Sequence, residues 1–197
     1  MEICGVDPGR RGARTDHCLA ALEGLLSGET TSHDCEFFRY TDARIVPAPQ
    51  PRVPILVGGR ADAALKRTAR FADGWLGVWS SPRRFAAAID EVEAHAHRLG
   101  RPVPRAHGMQ IWCGFDDHAE KARERLGKRM EAFYQVPFER FERYAPWGTP
   151  EAVAEALLPY LEAGCRRFNL MPVAASEEAG IEAVAEVARL LRAADPF

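Results

Sequence analysis

The sequence predicts an α/β fold built on a parallel sheet. Short apolar runs alternate with longer segments of helical periodicity over most of the chain. Each run ends in glycine or a polar turn, as expected for strands that are buried on both faces. Strands that alternate with helices form right-handed parallel units, so about four β/α units are expected. The predicted strands cover residues 53–57, 75–79, 109–115 and 167–173.

Residues 1–52 are expected to form a lead-in to these units. Leucines recur at helical spacing over residues 15–27, and Gly28 ends that pattern. The segment from residue 29 to residue 53 is predicted to be irregular, with short extended pieces around Glu36–Tyr40. Its three prolines between residues 47 and 51 exclude a helix or a central strand there.

Polar caps mark where the later helices begin. Ser81 and Thr149 are each followed by proline, and Ser176 is followed by two glutamates, as is typical of helix N-termini. Asp116 or Asp117 is expected to cap the helix after the third strand. The apolar positions of these helices repeat at helical spacing and predict inward faces. These faces include Leu99, Phe133 and Ile181.

The composition limits the class of protein. The chain has 197 residues, of which 47% are hydrophobic, and a formal net charge of −2, which fits a single globular domain over residues 1–197. There is no basic excess for a nucleic-acid partner and no apolar run near the ~20 residues of a membrane helix. The five cysteines are scattered without a C-x-x-C pair. We therefore expect reduced thiols in a cytoplasmic protein, with no disulfide framework and no zinc site.

The most informative turn is Gly58-Gly59-Arg60, at the carboxyl end of the first predicted strand. Ligands of parallel α/β folds bind at this edge of the sheet. Glycines let the backbone approach a phosphate, free N–H groups at the next helix attract anions, and Arg60 can add a charge-assisted hydrogen bond. The turn is a candidate phosphate site, and the alternative is a plain strand-to-helix turn that needs a positive φ.

Two further candidates are a tryptophan and an arginine. Trp79 ends the second predicted strand at the same edge, where an indole can pack against a ring-shaped ligand. Trp75, on the same strand, is instead predicted to be a core residue. Arg14 belongs to a small basic cluster near the first helix, whose alternative role is a solvated group balanced by neighbouring aspartates.

The histidines form no recognisable catalytic or metal-binding pattern. None is spaced from a cysteine or carboxylate as in a metal site or a catalytic triad. His33 lies in a polar segment and is predicted to be solvated, whereas His17 sits among apolar neighbours on the first helix. His107 precedes the third strand, at the end opposite the expected site. The sequence therefore predicts no metal site and assigns no catalytic residue.

Four groups of residues, taken in order, carry a resemblance to a known family. They are Arg11-Gly-Ala-Arg-Thr-Asp16; Glu36-Phe-Phe38 with Pro47-x-Pro-Gln-Pro51; Pro54-Ile-Leu-Val-Gly-Gly59 with Asp73-Gly-Trp75; and Gly148-Thr-Pro-Glu151 with Tyr160-Leu-Glu-Ala-Gly164. In this order and spacing, the chain resembles the luciferase-like monooxygenase superfamily, which includes bacterial luciferase and deazaflavin-dependent oxidoreductases. One departure is His17, which stands where the family has a glutamate.

The resemblance implies a (β/α)₈ barrel that binds FMN or a deazaflavin coenzyme of the F420 type. It implies that Gly58, Gly59 and Arg60 contact the coenzyme, with Trp79 and Arg14 nearby. The match begins about halfway along a typical member, so the expected fold is a partial TIM barrel whose four units correspond to the C-terminal half. Half a barrel leaves two open strand edges, which pairing of two chains can close. We therefore expect a homodimer.

The expected function is that of a flavin- or deazaflavin-dependent oxidoreductase or monooxygenase. It would transfer a hydride or activate dioxygen on a small organic substrate, as the resemblance implies. The alternative is a non-catalytic coenzyme-binding or structural protein derived from a truncated barrel. A third alternative is that Met1 is internal to a longer gene product. Neither a nucleic acid nor a membrane is expected as a partner.

Overall fold

The computed structural model describes residues 5–194. A 3₁₀ turn at Pro8–Arg10 precedes the first helix, and two more at Phe138–Arg140 and Glu142–Tyr144 follow the fourth. The strands are β1 (Thr31–Asp34), β2 (Arg39–Ala43), β3 (Leu56–Gly58), β4 (Gly74–Val78), β5 (Gly108–Phe115), β6 (Trp147–Gly148) and β7 (Arg167–Val173). The helices are α1 (Arg11–Leu26), α2 (Asp62–Phe71), α3 (Pro82–Arg98), α4 (Ala119–Tyr134), α5 (Pro150–Glu162) and α6 (Glu177–Ala194).

The main sheet confirms the predicted parallel α/β fold. Strands β3, β4, β5 and β7 lie side by side in that order, and every pair is parallel. Strand β4 pairs with β5 only as far as Val78 and Gln110. Beyond this point the two-residue strand β6 takes its place, beside Gly114 and Phe115. The sheet therefore splits between β4 and β5 at its carboxyl end.

Two apolar clusters cover the two faces of the sheet. The larger cluster lies between the sheet and helices α2, α3, α5 and α6, and it includes Met109, Ile111 and Cys113 of β5. The smaller cluster lies under α4 and includes Trp112 of β5 and Val173 of β7. Strand β5 contributes to both because successive side chains of a strand point to opposite faces.

Gly114 allows α4 to lie directly on the sheet. A Cβ at this position would lie 2.7 Å from the Ala122 carbonyl oxygen and 3.0 Å from the Leu126 Cβ. Any larger residue would push the helix away from β5. Helix α4 and the turns after it therefore cover the carboxyl end of the sheet, on the face opposite the other helices.

The segment Asp73-Gly74-Trp75 fastens the amino end of β4. The Asp73 carboxylate accepts hydrogen bonds from the Ile55 N–H at 2.6 Å and from the Arg52 guanidinium at 2.8 and 2.9 Å. The Asp73 N–H donates in turn to the Ile55 carbonyl oxygen at 2.8 Å. The segment thus joins the chain before β3 to the start of β4. This contact lies at the amino ends of the strands, and the Gly-Gly turn lies at their carboxyl ends.

His107 is buried beside this segment in its neutral form. Its Nδ1 accepts a hydrogen bond from the Trp75 N–H at 3.1 Å, and its Nε2 donates to the Pro104 carbonyl oxygen at 2.9 Å. The residue is 3% exposed. Burial lowers the pKa of the ring from its usual 6.5, since an imidazolium would lose its hydration here.

We expect His107 to destabilise the fold in mild acid. The unfolded ring takes up a proton below pH 6.5, whereas the folded ring stays neutral down to its lower pKa. The free energy of unfolding then falls as the pH drops below that value, by up to about 1.4 kcal/mol per pH unit. Denaturant unfolding above and below pH 6.5 measures this for the wild type and for His107→Asn, which keeps an acceptor for the Trp75 N–H. Equal pH slopes for the two proteins would contradict the prediction.

The predicted helix caps are confirmed at three positions. The side chains of Ser81, Thr149 and Ser176 each accept a hydrogen bond from the N–H three residues further along. At α4 the prediction is wrong, because His118 occupies the N-cap and its N–H donates to the Asp116 carboxylate. That aspartate closes the turn before the helix and does not cap it.

Other local predictions are also wrong. Helix α1 begins at Arg11, four residues before its predicted start. The segment predicted to be irregular, with short extended pieces around Glu36–Tyr40, contains the regular antiparallel hairpin β1–β2. Leu99, Phe133 and Ile181 are 53%, 61% and 68% exposed. Helical spacing placed them on inward faces, but residues 5–194 leave most of each side chain open to solvent, although the Phe133 ring lies 5.6 Å from that of Trp112. No helix in this described range is long and apolar enough to cross a membrane.

Candidate functional site

The Gly58-Gly59-Arg60 turn lies at the carboxyl edge of the sheet, and all three residues are exposed. Gly59 has a φ of +117°, and a Cβ there would lie 2.9 Å from the Ala64 Cβ. A Cβ on Gly58 would instead meet its nearest atom, the Leu76 carbonyl oxygen, at 3.7 Å. The backbone of the turn therefore requires glycine at position 59 but has room for a side chain at position 58.

Trp75 holds the turn in place from within the core. It is 2% exposed, and its Nε1 donates a hydrogen bond to the Gly59 carbonyl oxygen at 2.7 Å. Its ring packs against Phe85 with centroids 5.4 Å apart. The prediction that Trp75 is a core residue is confirmed, and the structure adds that this residue positions the turn.

A cavity of about 350 Å³ opens beside the turn. Arg60, Ser80 and Arg84 line it, together with Asp62 and Trp75. In the part of the chain that the structure describes, no hydrogen bond or ion pair engages the guanidinium groups of Arg60 and Arg84. The Asp62 carboxylate pairs with Lys66 at 2.6 Å. Glu91 also lines the cavity, which therefore holds two unpaired guanidinium groups and two carboxylates.

The N-terminus of α2 lies beside Arg60, and its first turn carries Asp62. Its N-cap residue is Ala61, which provides no side-chain hydrogen bond, whereas Ser81 caps α3 and Thr149 caps α5. The first N–H groups of an uncapped helix lack partners and carry the positive end of its dipole. A phosphate beside Arg60 would be stabilised by both the guanidinium and these N–H groups.

Trp79 and Ser80 form a strained and incompletely bonded end to β4. Trp79 has a φ of +47°, which is unusual for a bulky residue. Its Nε1 and the Ser80 Oγ are both buried, and neither has a hydrogen-bond partner within the described residues. Buried polar groups are normally paired, so a molecule bound here could supply the hydrogen-bond partners that these two atoms lack.

Aromatic residues of α4 and the turns after it surround Trp79. Its ring centroid lies 5.0 Å from that of Tyr134 and 4.8 Å from that of Phe141. The Tyr134 hydroxyl accepts a hydrogen bond from the Trp112 Nε1 at 3.0 Å. Trp79 is therefore half-buried within an aromatic cluster at the split between β4 and β5, which could receive a flat ring.

Tyr160 fixes the chain that follows Trp79. Its hydroxyl donates to the Ser80 carbonyl oxygen at 2.6 Å, and burial raises its pKa to about 12, so it remains a donor at neutral pH. The sequence did not single out Tyr160 or Arg84 for the site. The position of Arg84 in the first turn of the helix after the rim was the one signal that pointed to it.

Arg14 does not line the same cavity as Arg60. It is half-buried and lines a separate cavity of about 330 Å³ with Arg10, Glu36 and Phe37. Arg10 pairs with Glu36 and holds the pKa of that carboxyl below its usual range. The structure thus brings Gly59, Arg60 and Ser80 together, whereas Arg14 lines a different cavity.

The buried thiols are not suited to catalysis. Cys113 and Cys165 are fully buried, and burial raises their pKa to about 12 and about 11, respectively. They are protonated at neutral pH and closed to solvent, so they are poor nucleophiles. The residues at the carboxyl ends of β3 and β4 therefore form a candidate binding site, and the geometry assigns no catalytic residue.

Comparison with known proteins supplies the context for this edge. The sequence profile of the family described as luciferase-like monooxygenase matches residues 1–140. An uncharacterised protein of Mycobacterium tuberculosis is 38% identical over 103 residues, which are 52% of this chain and 35% of that protein. The FMNH(2)-dependent dimethylsulfone monooxygenase of Pseudomonas putida is 26% identical over 117 residues, 58% of this chain and 32% of that enzyme. The chain spans about a third of the length of these relatives.

A solved structure gives the corresponding result for the fold. An F420-dependent secondary alcohol dehydrogenase, in complex with an F420-acetone adduct, superposes with a TM-score of 0.80 at 19% sequence identity. The alignment covers 95% of this chain and 64% of that one. At this level of identity the likeness shows the fold alone. It confirms the predicted partial TIM-barrel fold for the parallel sheet and its helices.

Proposed function

Because the chain belongs to the luciferase-like monooxygenase family, we propose that it acts as a flavin- or deazaflavin-dependent oxidoreductase on a small organic substrate. The coenzyme would be FMN or a deazaflavin of the F420 type, since the chain is similar to an FMNH(2)-dependent monooxygenase and to an F420-dependent dehydrogenase. The observation that carries this proposal is the set of unpaired polar groups at the carboxyl ends of β3 and β4.

The residues at this edge fit such a coenzyme. An uncapped helix N-terminus and the free guanidinium of Arg60 suit a phosphate. The Trp79 indole suits a flat ring, and its Nε1 and the Ser80 Oγ are buried donors that still lack an acceptor. In this proposal the coenzyme supplies the hydride chemistry, and the chain binds and orients it.

Each residue has one task in this arrangement. Gly59 gives the turn a shape that lets the phosphate approach the backbone, and Trp75 holds that shape through the carbonyl oxygen of Gly59. Arg60 neutralises the phosphate. Tyr160 holds Ser80, so that the strained segment after β4 keeps one position. Arg14 would contribute only to a more distant part of the coenzyme.

We further propose that a second copy of the chain completes the barrel. Among the described strands, β3 pairs only with β4, and β7 pairs only with β5, so each has an edge free for another strand. Asn169 of β7 donates to Gln110 of β5 at 3.3 Å on the face away from the main helix layer. A homodimer would cover this face and supply the wall opposite the turn.

Titration calorimetry with FMN and with coenzyme F420 tests the binding. We expect one of them to bind, and Arg60→Ala to weaken that binding about 10- to 100-fold, the value of one charge-assisted hydrogen bond. The matched control is Arg83→Ala, because Arg83 is an exposed arginine of the neighbouring helix that does not line the cavity. Failure of both coenzymes to bind would overturn the proposal.

Turnover and assembly are separate readouts. Loss of the visible absorption of the oxidised coenzyme on addition of small alcohols, in the presence of the protein and not in its absence, would support an oxidoreductase. Tight binding without such a change would favour the non-catalytic alternative. Analytical ultracentrifugation of the coenzyme-bound protein tests the dimer, and a monomer that binds the coenzyme fully would contradict the two-chain barrel.

A further inference from the structure

Three potential metal ligands meet between α1 and the hairpin, and none of them lines the cavity beside Arg60. They are His17 of α1, His33 of β1 and Cys35 of the hairpin loop, and each is half-buried. One donor atom from each of the three lies within 4.8 Å of the others. The sequence predicts no metal site, because position 17 is far from positions 33 and 35 along the chain.

The distance between the two imidazoles matches a shared ion. His17 Nδ1 and His33 Nε2 are 3.3 Å apart. Two nitrogens bound tetrahedrally to Zn²⁺ at ~2.0–2.1 Å lie about 3.3 Å from each other, and a nitrogen and a sulfur about 3.6 Å. The nitrogen pair already has this spacing, which is also that of a hydrogen bond between the two rings. The proton of that bond moves to the other nitrogen of its own ring when both nitrogens bind an ion. The Cys35 sulfur needs to approach each nitrogen by at most about 1.2 Å, which rotation of its side chain provides.

Neighbouring aromatic rings hold the imidazoles in position. His33 stacks on Phe38 with centroids 5.0 Å apart and on Tyr40 at 6.0 Å. His17 lies 5.7 Å from the ring of Phe37. These contacts limit the orientations of both rings, so that an ion would meet donors that are already oriented. The structure therefore contradicts the prediction that His33 is solvated.

We propose that His17, His33 and Cys35 bind a divalent transition-metal ion of the zinc type. Two imidazoles and a thiolate are the donors that such an ion prefers, and three protein ligands leave a fourth tetrahedral position to water. The Cys35 Sγ now donates to the Phe38 carbonyl oxygen at 3.3 Å, so binding replaces this proton and releases it to solvent. The ion fastens α1 to the hairpin. This site is independent of the proposed coenzyme chemistry.

Cobalt substitution of the full chain tests the site directly. After treatment with a chelator, we expect Co²⁺ to give a thiolate-to-cobalt charge-transfer band and intense tetrahedral d–d bands at one ion per chain. Zn²⁺ should displace it, with a Kd of about 1 µM or tighter in competition with a chromophoric chelator. Failure to bind one ion per chain, or tetrahedral bands without the thiolate band, would overturn the proposal.

Variants identify the ligands. Cys35→Ser should abolish the thiolate band, and His17→Gln and His33→Gln should each weaken Zn²⁺ binding about 100-fold or more. Cys18→Ser is the matched control, because Cys18 is a half-buried thiol next to His17 that does not belong to the cluster. Circular dichroism shows whether each variant is folded. If a variant does not fold, the cobalt absorption spectrum of the wild-type protein still tests whether the site exists. Unchanged binding in folded Cys35→Ser and His33→Gln would refute the site.

Discussion

Replacement of Gly74 by alanine is expected to lower the free energy of unfolding by about 3 kcal/mol, near the upper end of overpacking effects. A Cβ at this position would lie 2.3 Å from the Ala106 carbonyl oxygen, 2.4 Å from its carbonyl carbon and 2.8 Å from the His107 N–H nitrogen. These are backbone atoms of the segment that leads into β5, and no rotamer change can relieve the overlap. The start of β4 and the start of β5 must therefore separate.

Thermal or denaturant unfolding measures the effect. For a chain of this size, a loss of that order corresponds to a fall in Tm of roughly 6–12 °C. Gly58→Ala is the matched control, since a Cβ on that strand glycine meets its nearest atom only at 3.7 Å. A Gly74→Ala protein as stable as Gly58→Ala would show that the close approach of the two chain segments is not required.

Replacement of Trp75 by alanine is expected to cost about 3–5 kcal/mol, as for other large buried aromatics. The side chain is almost fully buried, and it packs against Phe85 and the helix layer. Trp75→Phe is the more informative variant. It keeps most of the ring but leaves the Gly59 carbonyl oxygen without its donor, at a cost of about 1–2 kcal/mol.

The packing of the Trp75 ring and its hydrogen bond to Gly59 can be separated by measuring both the stability and the coenzyme affinity of two variants. Trp75→Phe should weaken binding as well as stability, because the turn at Gly59 is no longer held by the indole. Phe85→Leu removes packing from the same contact without touching that hydrogen bond, so it should lower stability alone. If both variants change coenzyme affinity equally, the indole does not position the turn.

The Asp-Gly-Trp segment shows that a sequence pattern can be recognised although the structural role of its residues is not known. The pattern belongs to the resemblance, which suggested coenzyme binding. In the structure, Asp73 and Gly74 lie at the opposite edge of the sheet, where they join the start of β4 to neighbouring backbone. Trp75 acts on the turn only through its long side chain. Local sequence order could not reveal these contacts, since each joins segments that are distant along the chain.

The geometry of the candidate site could be predicted from the sequence only in part, for a similar reason. Glycine chemistry and the end of an apolar run were sufficient to predict the turn at Gly59 and Arg60. The free guanidinium of Arg84, the unpaired Ser80 Oγ and the bond from Tyr160 depend on how α3 and α5 pack against β4. Arg14 was grouped with the turn by resemblance, but it lines another cavity.

By itself the sequence determined the alternation of strands and helices, the caps at Ser81 and Thr149, and the family. These properties follow from local periodicity, from side chains that bond to their own backbone, and from residue order. Only the tertiary structure decided which polar groups stay unpaired at the rim and that His17, His33 and Cys35 meet. Such meetings depend on helix and strand packing between distant segments, which no short stretch of sequence encodes.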